Sequence, residues 1–342
     1  MRVDGPLVTP ALGEVAAAAS ALEESGYDGA FTFEGPHDPF LPLVLAADAT
    51  EHLELTTAVA IAFARSPLTI ASQAWDLQRL SAGRFHLGLG SQIRPHIERR
   101  FSMPWSAPAA RMRELVLAIR AIWATWQDGV PLRFEGEHYT HTLMTPFFDP
   151  GPLDGSAPRV WLGGVGPLMT EAAGEVADGF MVHPFCTERS LVEVTLPALE
   201  RGRARAGAIA EPIQVSLPVM IATGADEAAI DAATAAVRAQ IAFYGSTPAY
   251  RVVLDVHGWG HLQPQLRDLT RSGNWEGMAS LVHDDLLDAV AVVAAPEDVA
   301  VEIAQRYGTT LDRVALNAPY AADPHIWQQI AADLRGQWTS KT

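Results

Sequence analysis

Cysteine, lysine and long apolar segments are almost absent from this chain of 342 residues. The single cysteine, Cys186, excludes an internal disulfide framework and a cluster of thiolate metal ligands. Because Lys341 is the only lysine, arginine or backbone N–H groups must bind any anion. No apolar run approaches the roughly 20 residues that span a bilayer, and the N-terminus lacks the pattern of a signal peptide. These absences predict a cytoplasmic protein without a membrane partner.

Positive charge is scarce as well. The formal net charge is −16 and the pI is about 5.0. Such a surface repels nucleic acid and anionic lipid, so we expect no nucleic-acid partner. Hydrophobic residues make up 49% of the chain, which suffices to build one large core. We therefore expect a single domain over residues 1–342 that acts on a small molecule.

Apolar, strand-like runs alternate with helical patterns along the chain, which is typical of parallel βαβ units. The alternation is interrupted by hairpin-like sequence near 131–145 and by an irregular helical insertion near 250–285. Together these features predict the α/β class and a (β/α)8 TIM barrel with two insertions. The eight predicted strands are residues 2–5, 29–34, 53–60, 85–89, 159–163, 179–183, 213–223 and 313–317.

The fourth predicted strand indicates where a ligand site is expected. Residues 85–89 open into Gly90 and Ser91 at the C-terminal end of a βα unit, where parallel α/β folds bind ligands. Glycine there permits a flat ligand to lie against bare backbone. Gly88 and Gly90 do not form a dinucleotide fingerprint, because Ile93 occupies the position of the third glycine. A tight turn without a ligand is the alternative.

A second glycine-rich segment follows the fifth predicted strand. Gly163, Gly164 and Gly166 stand between a strand and a helix. At such a junction, backbone N–H groups and the helix dipole favour an anion. The segment predicts a phosphate site that needs no lysine, and a simple turn is the alternative.

Acid–base candidates follow the second and fourth predicted strands. Glu34 and His37 come after the second strand, and His96 lies just beyond the fourth, where it can form part of a ligand rim. The alternative is a rigid loop in which Asp38 caps the next helix and the imidazoles are solvated. His37 and Asp38 are adjacent, and no second histidine-rich strand end accompanies them. We therefore expect no metal site.

The order and spacing of these segments resemble the bacterial luciferase-like monooxygenase superfamily, within it the branch that uses the deazaflavin coenzyme F420. The resemblance extends from residue 1 to about 323. It is carried by Gly26–Gly29 before Glu34, by residues 55–67 and 80–90, by the 163–167 loop and by residues 173–179.

The resemblance implies a planar cofactor ring over the third strand, at a non-prolyl cis peptide between Ala58 and Val59. It implies further ring contacts from the end of the fourth strand and an acidic group near the ring at Glu34. The cofactor phosphate would bind the loop after the fifth strand. The implied contacts are Gly90, Ser91 and Gln92 for the ring, and Gly163, Gly164, Val165 and Gly166 for the phosphate.

One position departs from the family pattern. Many deazaflavin enzymes of this group carry histidine directly after the acidic residue of the second strand, and here that position is Gly35. His37 can take its place from the same loop. Hydride transfer depends mainly on positioning the ring and the substrate, so the departure does not exclude activity.

The main functional hypothesis is an oxidoreductase that moves a hydride between reduced F420 and a small organic substrate. Glu34, His37 or His96 would handle the accompanying proton. One alternative is a monooxygenase that uses FMN. Another is a catalytically silent barrel that binds or stores the cofactor, which the Gly35 departure favours. Superfamily analogy also suggests a homodimer, whereas the sequence does not identify the substrate.

Overall fold

The computed structural model describes residues 1–7, 11–207 and 212–339. Eight parallel strands close into a barrel in the order β1–β2–β3–β5–β8–β9–β10–β12 and back to β1. All eight predicted strands are present, and the TIM-barrel prediction is confirmed. The strands are β1 Arg2–Pro6, β2 Gly29–Thr32, β3 Glu54–Thr57, β4 Ala60–Ile61, β5 Phe85–Gly90, β6 Phe134–Glu135, β7 Thr140–His141, β8 Arg159–Gly164, β9 Gly179–Val182, β10 Gln214–Ala222, β11 Ala291–Val293 and β12 Arg313–Asn317.

Two strands extend the barrel wall beyond the eight. Strand β4 continues the direction of β3 and pairs with β5, in register Ala60 with Leu89. Strand β11 pairs with the end of β10, in register Met220 with Ala291. Residues 58 and 59 connect β3 to β4, and the chain bends there. This bend lies at the mouth of the barrel, where the strands end, and forms part of the site.

The helices surround the barrel and begin at local signals. Proline is the first residue of α3, α5, α6, α14 and α15. The first N–H groups of a helix have no carbonyl partner within the helix, so proline, which lacks an N–H, loses no hydrogen bond there. The helices are α1 Val15–Glu24, α2 Phe40–Ala49, α3 Pro67–Leu80, α4 Arg94–Arg99, α5 Pro108–Asp128, α6 Pro167–Val176, α7 Glu188–Ser190, α8 Leu196–Ala206, α9 Glu227–Gly245, α10 Arg251–Asp255, α11 Leu262–Ser272, α12 Trp275–Ser280, α13 Asp284–Val290, α14 Pro296–Tyr307 and α15 Pro324–Thr339. None of the described helices is long and apolar enough to cross a membrane.

Both predicted insertions are present. Strands β6 and β7 form an antiparallel hairpin, and α10, α11 and α12 fill the predicted helical insertion. The insertion has its own apolar core against α9, which includes Ile241, Leu254 and Leu266. Because this core is anchored to the barrel through Phe185 and Met220, it fixes the position of Tyr250 at the mouth.

A buried ionic cluster closes the opposite end of the barrel. Arg313 Nε donates to Asp4 Oδ2 at 2.8 Å, and the other guanidinium nitrogens donate to Asp4 Oδ1 and to Glu54. His86 stacks on Trp161 with ring centroids 6.0 Å apart. Burial foremost, and then Arg313 and two further arginines, lower the pKa of His86 to about 3, although Glu54 Oε2 lies 3.9 Å from its Nε2. This imidazole is therefore neutral in the folded protein.

Candidate active site

A cavity of about 350 Å³ opens at the C-terminal ends of the barrel strands. This volume lies within the range of small-molecule sites. The structure brings most of the predicted cofactor contacts together on it: Ala58, Val59, Gly90, Ser91, Gln92, Gly163, Gly164 and Val165 all line the cavity. Gly166 borders a smaller cavity of about 30 Å³, which shares Gly164 and Val165 with the large one.

One wall of the cavity is made by the backbone between β3 and β4. The Ala58–Val59 peptide bond is cis, as the resemblance implied. Ala58 N–H donates to the Thr32 carbonyl at 2.6 Å, and Glu34 N–H donates to the Val59 carbonyl at 3.2 Å. These two bonds attach the bend to the end of β2. Residues 58 and 59 therefore line the cavity on a bend that these bonds hold in place.

The glycines around this bend are required by the protein itself. A Cβ at Gly90 would lie 2.5 Å from Val59 Cγ2, and one at Gly163 would lie 3.0 Å from Val59 Cγ1. A Cβ at Gly88 would overlap the Thr57 carbonyl oxygen. The sequence reading attributed glycine at this mouth to an approaching ligand. The geometry adds a second cause, which is the side chain of Val59 packed between the neighbouring strands.

The loop after β8 has the features expected of an anion site. Gly166 has φ +91°, a left-handed conformation that favours glycine, and no atom lies within 4 Å of where its Cβ would be. Its carbonyl accepts from Thr170 N at 3.2 Å and from Thr170 Oγ1 at 2.9 Å, which starts α6. The first-turn N–H groups of a helix carry partial positive charge. An anionic group fits this open corner.

Glu34 supports the bend from outside the cavity. Its Oε2 accepts from Ile61 N and from Arg65 Nη1, both at 2.6 Å. Its side chain is 7% exposed and does not line the cavity. Arg65 Nη2 also contacts Asp38 Oδ2 at 3.0 Å, and Asp38 Oδ1 accepts from Phe40 N at 2.8 Å at the start of α2. One oxygen of the Glu34 carboxylate, Oε2, is thus occupied by the chain that follows residues 58 and 59.

His37 and His96 do not reach the cavity. Both are exposed, and neither is among its lining residues. The backbone of the His37 loop is tied down by Arg100, whose Nη2 donates to the Gly35 carbonyl at 2.7 Å. The catalytic roles expected for these two imidazoles remain predictions that the geometry does not favour.

The opposite wall consists of side chains that the sequence reading did not select. His183, at the end of β9, and Tyr250, from the insertion, both line the cavity. The ring centroid of His183 lies 4.3 Å from that of Tyr250 and 4.6 Å from that of Tyr244. Burial lowers the pKa of His183 to about 4 and raises the pKa of both tyrosines. His183 follows its strand as Glu34 follows β2, which is a signal that could have found it.

Comparison with known proteins agrees with this geometry. Residues 1–313 match the family model of the luciferase-like monooxygenases. The chain belongs to this family. Among the residues that the structure describes, no group of three or more His, Cys, Asp or Glu side chains is placed to hold a metal ion.

Similar proteins include an uncharacterized protein and reductases. An uncharacterized protein of Mycobacterium tuberculosis is 54% identical over 314 residues, 92% of each chain. The 5,10-methylenetetrahydromethanopterin reductase of Archaeoglobus fulgidus is 26% identical over 312 residues, 88% of each chain. The structure of the coenzyme F420-dependent tetrahydromethanopterin reductase from Methanopyrus kandleri has a TM-score of 0.77 at 23% identity, covering 98% of this chain and 97% of that one. This last likeness shows the shared fold.

Proposed function

We propose that this luciferase-like protein is an oxidoreductase that binds coenzyme F420 in the large cavity and reduces a small organic substrate. The observation that carries the proposal is the cavity wall formed by Ala58, Val59 and the glycines at 90 and 163, where the Val59 side chain packs in the room that the glycines leave. A flat ring fits such a wall, because its residues carry small side chains or none. A Mycobacterium tuberculosis relative named as a putative coenzyme F420-dependent oxidoreductase, 27% identical over 305 residues, supports the choice of cofactor.

The cofactor would be held mainly by main-chain groups. Ala58, Val59, Gly90, Ser91 and Gln92 would contact the ring, and residues 163–166 would bind the phosphate through N–H groups. When bound, reduced F420 supplies a hydride to the substrate. Met181, Val182 and Pro218 give part of the cavity an apolar lining, which would limit water beside the ring.

We assign Glu34 a positioning role. Its carboxylate binds Ile61 N–H and Arg65, so it fixes the far side of the cis bend and thereby the wall against which the ring would lie. The two charge-assisted hydrogen bonds hold Oε2, and Glu34 does not line the cavity, so the carboxylate is poorly placed to donate a proton to a substrate.

An FMN-dependent monooxygenase is the second candidate, favoured by the family to which the chain belongs. The same wall accepts an isoalloxazine ring, since only the flatness of the ligand matters there. A silent cofactor-binding barrel is the third, favoured by the exposed positions of His37 and His96.

Parallel titration of the purified protein with F420 and FMN separates these candidates. We expect F420 to bind at least tenfold more tightly than FMN. Gly155→Ala is the control variant and should bind both cofactors as wild type does, because no atom lies within 4 Å of a Cβ at that position. Tighter binding of FMN would favour the monooxygenase. Binding of F420 without reduction of any substrate in a broad screen would favour the silent barrel, and binding of neither would overturn the proposal.

The expected homodimer also has a candidate surface. Helix α2 is apolar on both sides: Phe40 and Leu43 are buried in the core, whereas Leu41, Val44 and Leu45 are 55%, 40% and 38% exposed. A helix that is apolar all round is usually covered. We propose that a second copy of the chain covers it, and we expect Leu41→Glu to convert a dimer to a monomer in analytical ultracentrifugation. A wild-type monomer would contradict this.

A further inference from the structure

His183, which directly follows β9, has an imidazole ring whose hydrogen bonding indicates which ring nitrogen carries the proton. His183 borders both cavities, and its Nδ1 accepts a hydrogen bond from Phe185 N–H at 3.1 Å. A backbone N–H can only donate, so Nδ1 carries no proton. In the neutral ring the proton must therefore be on Nε2.

The Nε2–H group of His183 is available to a ligand. No residue in the described part of the chain accepts a hydrogen bond from it, and Nε2 is not among the side-chain atoms enclosed without a partner. It is therefore not fully enclosed, and His183 itself borders both cavities. The titratable groups packed against the ring are Tyr244 and Tyr250, whose pKa values are raised by burial, so both are neutral around pH 7.

Several of the other polar groups on the cavity wall are already engaged. Asp4 and Arg313 bind each other at the closed end of the barrel. At the mouth, Ser91 Oγ donates to the Gln92 carbonyl at 3.1 Å, and Gln92 Oε1 accepts from Ile93 N at 2.9 Å. Gln92 Nε2 and the Ser216 hydroxyl also line the cavity. Among the described residues, His183 is the imidazole on the cavity wall, and its ring is held by the aromatic rings of Tyr244 and Tyr250.

We infer that His183 is a catalytic residue whose Nε2–H donates a hydrogen bond to the carbonyl oxygen of a ketone or aldehyde substrate. This inference rests on the proposed function, since it concerns the substrate of the same site. Hydride from reduced F420 adds to the carbonyl carbon, and the electron pair of the C=O π bond moves to the oxygen as an alkoxide. A fixed neutral donor stabilises that charge through a hydrogen bond. The alkoxide then takes a proton from water to give the alcohol, so His183 keeps its Nε2–H throughout. Tyr250 acts as a positioning residue that holds the imidazole ring.

The first test needs neither cofactor nor turnover. We would record 15N-detected imidazole spectra of histidine-labelled wild-type protein and assign His183 by the signal lost in His183→Gln. We expect the Nε2–H tautomer without titration between pH 6 and 8, and a shift of the Nε2 signal on adding cyclohexanone but not methylenecyclohexane, which replaces C=O by C=CH2. An Nδ1–H tautomer, an imidazolium at pH 7, or equal shifts with both probes would overturn the inference.

The second test compares variants of the cofactor-loaded enzyme on whichever ketone or aldehyde a screen shows to be reduced. We expect His183→Gln to lower kcat about 100-fold with an unchanged Kd for F420, in line with the loss of one oxyanion donor. Tyr250→Phe, which keeps the ring, should lose less than fivefold, and exposed His261→Gln is the control. Unchanged kcat in His183→Gln, or a larger loss in Tyr250→Phe, would overturn the role of His183.

The two tests also separate this inference from the proposed function. If wild-type protein fails to bind F420 but the cyclohexanone shift at His183 is present, the proposed cofactor is wrong and the carbonyl site stands. If F420 binds and a ketone is reduced while His183→Gln keeps full activity, the proposed function stands and the inference fails.

Discussion

The two walls of the cavity are built from different materials. On one side, the cis peptide at Ala58–Val59 and the ends of β5 and β8 present main chain, and the glycines there leave room for Val59. On the other side, β9 and the helical insertion present the rings of His183 and Tyr250. A wall of main chain suits a ligand that many members of a family bind, because the position of the main chain is set by the barrel fold and depends little on the individual side chains. A wall of side chains can change from one protein to the next, and so suits the choice of substrate.

The main-chain wall should be the more sensitive of the two to small additions. We expect Gly90→Ala to lower the free energy of unfolding by about 2 kcal/mol through overpacking against Val59. It should also weaken F420 binding about 100-fold, because the displaced bend no longer forms a flat wall. Urea denaturation and fluorescence titration measure the two effects, with Gly155→Ala as the control.

A compensating change makes this prediction specific. Val59→Ala removes the methyl group that a new Cβ at residue 90 would meet at 2.5 Å. The double variant Val59→Ala/Gly90→Ala should therefore recover at least half of the lost stability, with a positive coupling energy in the double-mutant cycle. Strictly additive effects would show that Val59 is not the reason for glycine at residue 90.

Acid should lower the free energy of unfolding of the barrel, and His86, which lies below both cavity walls, should be one cause. Its pKa is about 3 in the folded protein and about 6.5 in the unfolded chain, so below pH 6.5 the unfolded state binds a proton that the folded state does not. Stability is therefore lost as the pH falls from 6.5 towards 3. Between pH 7 and 5 we expect wild type to lose about 2 kcal/mol more than His86→Gln. Urea denaturation at both pH values checks this, and equal losses would contradict it.

Glu34, which supports the main-chain wall from behind, should contribute less to stability and to F420 binding than Gly90 in the wall itself. Glu34→Gln keeps an oxygen for Ile61 N–H but removes the charge that faces Arg65. We expect a loss of about 1.5 kcal/mol in stability, as for a charge-assisted hydrogen bond, and a fivefold weaker affinity for F420. The kcat at saturating cofactor should change less than twofold. A large fall in kcat with unchanged affinity would instead indicate that Glu34 acts on the substrate.

The glycines of the main-chain wall and the strand-end position of His183 could be predicted from the residues themselves, whereas Ala58 and Val59 followed from the family resemblance and the packing of the side-chain wall could not be predicted. Glycines at 88, 90, 163, 164 and 166 mark places where a backbone must approach something, and such marks are local in the chain. The pairing of His183 with Tyr250 joins residues 67 positions apart, and it depends on how the insertion folds back over the mouth. Glu34 shows a related limit: its position after β2 was correctly read, but only the contact with Ile61 shows that its carboxylate turns away from the cavity.

The rim histidines should contribute least, and they provide the sharpest contrast with His183. His37 and His96 are exposed and do not line the cavity, so we expect His37→Gln/His96→Gln to keep kcat, KM and the Kd for F420 within twofold of wild type. The imidazole that family resemblance leads one to expect beside Glu34 would then be supplied from β9, across the cavity. Because binding of a substrate can draw an exposed loop inward, the measurement must be made at saturating substrate. A tenfold fall in kcat for the double variant, with His183→Gln unchanged, would reverse the comparison and place the chemistry at the rim.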